Sequence, residues 1–205
     1  MLIWRGIARQ VDVKSALVTG ASGFVGQWLC RALLRDGWHV TGISLTPPIP
    51  FVGSQASNEP PTHFVTADLR QLDVAREVVR LAEAEVVFHL AGQSFVPAPG
   101  KDPIDGFSSN VGACVSLLAA VRDYREQGGN DPRVLVVGSA EQYGNCESQH
   151  VPIAEECPLR PATWYAGSKC AQEAMALAAF RADGLKTICT RSFNQAGPGQ
   201  SQLFL

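Results

Sequence analysis

Three glycines at i, i+3 and i+6, Gly20, Gly23 and Gly26, separate a short apolar run (Ala16-Leu-Val-Thr19) from a segment with apolar residues at helical spacing. That pattern reads as strand, tight turn, helix. The first glycine lets the chain leave the strand, the second lets backbone come close to a pyrophosphate, and the third lets the helix pack down on the sheet. Backbone N–H groups at the start of such a helix, with the positive end of its dipole behind them, favour a diphosphate. The spacing alone also fits a purely structural turn, so residues further along must decide between the two readings.

Much of the chain repeats the strand–helix alternation. Phe24 to Asp36 carries apolar residues at helical spacing, with Gly37 as its stop, and Val40 to Ser44 is a second strand. A carboxylate at the end of that strand would hold an adenosine ribose, and an arginine would greet a 2′-phosphate. Ser44 stands there instead, which tilts the expectation toward NADP over NAD without excluding either. Thr46 to Pro61, rich in Pro, Ser and Asn, is expected to be a loop. His63 to Thr66 is a third strand, and Asp68, just past it, either accepts a bond from an adenine amino group or caps the helix from Leu72 to Glu83. Val86 to Leu90 is a continuous apolar strand of the kind buried on both faces of a parallel sheet, with His89 expected in the core. It leads into Ala91-Gly92-Gln93-Ser94, and a long helix follows from Ile104 to Arg125, containing Asn110. The expected fold class is therefore α/β, a doubly wound parallel (Rossmann) sheet of at least six strands with helices on both faces.

A fifth strand, Val134 to Gly138, delivers Ser139 and Glu141 to the carboxyl edge, where open α/β sheets bind ligands. Tyr165 and Lys169, four apart near the start of a helix that runs to about Arg181, share one helix face. A free phenol is a poor base at neutral pH, but a nearby ammonium and a position in the first helical turn both favour the phenolate. With a hydroxyl from Ser139 on the same oxygen, this set makes a proton donor or acceptor for a carbonyl/alcohol pair. Composition describes an ordinary soluble globule: 205 residues, 46% hydrophobic, 18% charged and a net charge of −2 give no reason to expect nucleic acid or an anionic membrane surface. No apolar run is expected to reach the ~20 residues of a bilayer span, and the start is too short in its apolar part for a secretory signal. Six cysteines without a CxxC pair or a nearby histidine imply a reducing, cytoplasmic setting and no metal site.

These motifs together resemble the extended branch of the short-chain dehydrogenase/reductase superfamily, the NAD(P)-dependent sugar-nucleotide epimerases and dehydratases. "HLAGQSFVPAP" and Arg191-Ser-Phe-Asn-Gln-Ala-Gly-Pro-Gly-Gln200 are most similar to the GDP-4-keto-6-deoxy-mannose reductases and GDP-mannose 4,6-dehydratases. The resemblance implies roles by position. Tyr165 becomes the acid/base, Lys169 its tuner and ribose anchor, and Ser139 the second hydroxyl on the reacting sugar oxygen. Gly20, Gly23, Phe24, Val25 and Gly26 would surround the pyrophosphate, Asp68 and Leu69 would meet adenine, and Leu90, Ala91 and Gly92 would border the cofactor. Ser94, Asn110 and Asn194 would face a nucleotide-sugar, GDP-linked by this likeness, and Glu141 would be the base of a dehydratase. Similar members pair as homodimers through the two long helices.

Departures from the family pattern sit at Gly92, where alanine is usual, at Pro97-Ala-Pro-Gly100, and at Gln195, where histidine is usual. The chain also stops at Leu205, where extended members build a lobe that clamps the sugar. The expectation is thus a dinucleotide-binding domain over 1–205 that carries the Ser/Tyr/Lys set and largely lacks that lobe, as a fragment or a truncated product. Three activities follow as candidates: reduction of a GDP-4-keto-6-deoxy-hexose at C4, dehydration or epimerisation of a nucleotide-sugar, and a non-catalytic dinucleotide-binding fragment.

Overall fold

The computed structural model describes residues 14–47, 61–93, 102–146 and 151–200. Six strands, β1 (Ser15–Thr19), β2 (His39–Ser44), β3 (His63–Thr66), β4 (Val86–His89), β5 (Arg133–Val137) and β6 (Lys186–Thr190), form one sheet in the order β3-β2-β1-β4-β5-β6. Every pairing is parallel, with Thr19 opposite Ile43 on one side of β1 and His89 on the other. This is the doubly wound order, so the strand sequence reverses between β1 and β4 and leaves a crevice outside their carboxyl ends.

The sequence builds two unequal layers on this sheet. Alternate residues of β1 point to opposite faces. Ala16 and Val18, with Val40, pack against Cys30 and Leu33 of α1 (Phe24–Arg35). Leu17, with Ile43, Val87, Val134 and Val136, packs against α2 (Leu72–Ala82), α4 (Ala113–Glu126) and α5 (Trp164–Asp183). Helices therefore cover both faces, but among the described residues α1 alone covers one of them, and Ile188 on edge strand β6 remains 49% exposed. Local signals set the helix ends. Asp102 and Thr163 cap α3 (Pro103–Phe107) and α5 through their side chains, and glycines with left-handed φ, Gly37 and Gly184, follow α1 and α5.

The long helix expected from Ile104 to Arg125 differs in two ways. A π-helical turn over Ser108–Gly112 interrupts it between α3 and α4 and carries Asn110 inward. Moreover, Pro103–Glu126 is a 24-residue helical rod with an apolar stretch of mean hydropathy 1.4, long and apolar enough to cross a bilayer by length and composition, contrary to the sequence-based expectation. Packing explains the composition: Leu117, Leu118, Ala120 and Val121 are buried in the core shared with α2, α5 and the sheet. The cysteines are also less scattered than their spacing implied, since the Cys146 and Cys157 thiols meet at 3.9 Å.

Candidate active site

The crevice at the carboxyl ends of β1 to β4 is a cavity of about 390 Å³. Gly20, Ser22 and Gly23 line one wall, Ser44, Leu45 and Thr46 the end of β2, Asp68, Leu69 and Arg70 the end of β3, and Leu90 to Gln93 the end of β4. Gly20 has φ +70°, and a Cβ there would run into the backbone of Leu90 and Ala91. Gly26 faces the turn, where a Cβ would collide with the Gly20 carbonyl oxygen. The turn and helix α1 thus close on each other through backbone alone. Helix α1 begins without a side-chain cap and without a carboxylate in its first turn, whereas α2 has Asp73 there and α3 and α5 are capped. Its N-terminus is left electropositive toward the cavity, as an anion site requires. These features fit a dinucleotide diphosphate.

The adenosine end of the cavity carries no carboxylate from β2. Ser44 is engaged in the fold, its hydroxyl taking the Ser22 N–H at 3.0 Å. Asp68 does not cap α2, whose N-cap is Gln71. It accepts three side-chain bonds from Arg70, at 3.0, 2.9 and 2.6 Å, and this guanidinium holds its carboxyl below the usual carboxylate range. Phe24 and Val25 are absent from the cavity wall. They border a separate groove of about 330 Å³ with Trp28 and Gln195 to Pro198, so any pyrophosphate contact from them is through backbone.

Beyond β5 the chain enters a 3₁₀ turn, Ala140–Tyr143, capped by Ser139, whose hydroxyl takes the Glu141 N–H at 3.3 Å. The Ser139 hydroxyl also bonds the Tyr165 phenol, which favours the phenolate. Burial outweighs this bond and the Glu141 carboxylate adds to burial, so the Tyr165 pKa is raised, the reverse of the expected direction. Burial is the cause, and Lys169 does not offset it. Its ammonium donates to the Val137 carbonyl and to Gln172 Oε1, each at 2.9 Å, rather than to the phenol. Burial lowers Lys169 to about 8, which leaves it mainly charged at neutral pH. A methyl group built on Gly92 would lie 3.8 Å from this ammonium, so Lys169 reaches the edge of the cavity. Glu141 is exposed beside the start of α5, its Oε2 accepting from Thr163 Oγ1 at 3.4 Å.

Asn110 is wholly buried and does not face open space as the resemblance implied. Its Oδ1 takes the Gln93 N–H at 2.8 Å and its Nδ2 donates to Ser168 Oγ at 2.8 Å; that hydroxyl donates in turn to the Tyr165 carbonyl at 2.7 Å. Asn110 thus staples the cavity wall to the first turn of α5. Gly92 makes room for it, because a Cβ at 92 would overlap Asn110 Oδ1. His89 lies in the core as expected, bonded to Thr19 Oγ1 at 2.9 Å, and burial holds its pKa near 3. Asn194 is exposed beyond β6, and Ser94 lies outside the described residues. The sequence reading missed Arg70, Gln142, Glu173 and Arg191. Two carried a usable signal: Glu173 falls four residues after Lys169 on the helix face that begins at Tyr165, and Arg191 heads a motif without having been given a role.

The profile of the NAD dependent epimerase/dehydratase family matches residues 16–204. The UDP-glucose 4-epimerase of Lactobacillus helveticus is 29% identical over 181 residues, covering 88% of this chain and 52% of the relative. The GDP-6-deoxy-D-mannose reductase of Pseudomonas aeruginosa is 33% identical over 121 residues, 59% of this chain and 38% of the relative. Among solved structures, the UDP-glucose 4-epimerase of Thermus thermophilus in complex with NAD superposes with a TM-score of 0.78 at 27% identity, covering 92% of this chain and 59% of that one. The chain spans about half the length of the curated relatives it matches over most of its own length.

Proposed function

Because the chain belongs to the NAD dependent epimerase/dehydratase family, we propose that it exchanges hydride between a nicotinamide dinucleotide and C4 of a nucleotide-linked hexose, and reduces a GDP-4-keto-6-deoxy-hexose. The observation that carries this reading is the bond between the Ser139 and Tyr165 hydroxyls, with Lys169 one turn further along α5 and reaching the edge of the cavity. When bound, the dinucleotide supplies the hydride. Tyr165 gives its proton to the sugar oxygen, a step that its upward-shifted pKa favours in the reducing direction. Ser139 shares that oxygen, and Lys169 holds positive charge beside it. The likeness to the Pseudomonas reductase supports a GDP sugar, and the more extensive likeness to UDP-glucose 4-epimerases supports the same C4 chemistry on a different nucleotide.

NADP is the preferred cofactor in this proposal. Ser44 brings no repelling carboxylate to the ribose, and Arg70 stands at the mouth of the same cavity. Dehydration is a second reading, favoured by one feature: Glu141 sits close enough to Tyr165 for its charge to raise the phenol. The exposed apolar residues Ile104, Phe107, Trp164, Met175 and Phe180 on α3 and α5 support a homodimer, and a cytoplasmic setting goes with these substrates.

Titration with NADPH and NADH, followed by nicotinamide fluorescence with and without the GDP-4-keto-6-deoxy sugar, tests the proposal. Binding followed by oxidation on adding the sugar supports the reductase. Elimination of water from GDP-mannose with cofactor retained supports the dehydratase instead. A chain that binds neither dinucleotide defeats both, and light scattering reads the dimer.

A further inference from the structure

The Ser139 backbone is anchored on three sides. Gly138 N–H donates to the Thr190 carbonyl at 2.7 Å and Ala140 N–H to the Ser192 carbonyl at 2.9 Å, tying its neighbours to the end of β6. The N–H of Ser139 itself goes to Gln142 Oε1 at 2.8 Å. Gln142 is wholly buried, and its Nε2 donates to Glu173 Oε2 at 2.6 Å. Glu173 is held in turn by Arg191, through Nε at 3.0 Å and a terminal nitrogen at 2.7 Å, and Arg191 also donates to the Tyr143 hydroxyl and the Glu155 carbonyl.

This chain of bonds has a direction. A carboxylate only accepts, so it fixes which end of the Gln142 amide faces it and leaves the oxygen for Ser139. Turned the other way, the amide would set oxygen against carboxylate and NH₂ against N–H. Gly138 is part of the same fit, since a Cβ there would overlap Gln142 Oε1.

We propose that Gln142, oriented by Glu173 and Arg191, is the positioning residue that sets the Ser139 hydroxyl against Tyr165. The inference rests on the reading above that Ser139 and Tyr165 act as a pair. Arg191, at the head of the segment after β6, thereby acts on the hydroxyl pair without touching it.

Titration of Tyr165 by phenolate difference absorbance tests this with neither cofactor nor sugar. Subtracting Tyr165→Phe removes Tyr124 and Tyr143, the other two tyrosines. Ser139→Ala and Gln142→Glu each raise the Tyr165 midpoint by about half to one pH unit, the worth of one lost neutral hydrogen bond. Gln142→Leu does the same without placing two carboxylates together, and serves if Gln142→Glu fails to fold. The exchange Q142E/E173Q restores the bonds on both sides of residue 142 with the charge moved by one residue, gives up the bond from Arg191 Nε, and returns the midpoint at least halfway to that of the unaltered chain. A midpoint unmoved by either Gln142 substitution while Ser139→Ala moves it overturns the positioning role. So does a shift that persists in full in the exchange. A midpoint that Ser139→Ala leaves in place overturns the hydroxyl pair itself, and with it the proposal.

Discussion

The two ends of the crevice are built by opposite means. The cofactor end is backbone: Gly20, Gly23 and Gly26 present peptide groups and helix α1 presents an uncapped N-terminus. The proposed catalytic end is side chains: Ser139, Tyr165 and Lys169, supported by Gln142, Glu173 and Arg191 from three separate segments. The first is damaged by adding an atom, the second by removing one. Neighbours in sequence suffice for the glycine turn itself, whereas the second end joins Ser139 to Arg191, 52 positions apart, through side chains.

The sharpest way to break this contrast is Tyr165→Phe. Loss of one oxygen lowers kcat by about 10²–10⁴ in steady-state assays, while the dinucleotide Kd stays within roughly twofold, because the phenol adds nothing to the backbone cradle. A matching fall in cofactor affinity would show the two ends to be one. Gly20→Ala comes next. Its Cβ meets the Leu90–Ala91 backbone in a left-handed conformation, so chemical denaturation should report a loss of about 1–3 kcal/mol and cofactor titration a weaker complex. Arg70→Ala sharpens the cofactor end further. With one charge-assisted contact to a 2′-phosphate removed, NADPH affinity falls about tenfold and NADH affinity holds, read by the same fluorescence titration. Equal loss for both dinucleotides would set Arg70 aside as a reader of that phosphate.

His89, buried beneath the cofactor end against Thr19, predicts the smallest effect. It is buried neutral with a pKa near 3, against an ordinary 6.5. The unfolded chain therefore binds more protons than the folded one between those values. Stability associated with His89 is fully present above 6.5 and is lost progressively as pH falls toward 3. About 1 kcal/mol should disappear within the first pH unit below 6.5, and His89→Gln should flatten that part of the profile in denaturant titrations at stepped pH.

The same contrast decides what the sequence discloses. Strand β3 occurs at His63–Thr66 as the pattern predicts, β1, β2, β4 and β5 begin or end within a residue of their expected bounds, and the glycine turn stands where the spacing puts it. All of these follow from neighbouring residues. The π-helical turn does not, because it exists to bury Asn110 against Gln93 and Ser168, which periodicity cannot see. Helical spacing brought Lys169 beneath Tyr165 but could not show that the Val137 carbonyl would accept its hydrogen bond. Arg191 stood out as part of a motif, yet its link to Ser139 passes through Glu173 and Gln142, a path assembled only by the sheet.

That path has an order in time. A chain made from its N-terminus has all of β1 to β4, hence most of the cofactor cavity, once residue 93 has emerged. Ser139 emerges later and then waits, because the carbonyls that fasten its neighbours belong to Thr190 and Ser192, and the guanidinium that steadies its amide partner is Arg191. During synthesis the turn proposed to cradle a diphosphate therefore precedes a fixed address for the serine, and the proposed chemistry waits for the last strand to pair with β5.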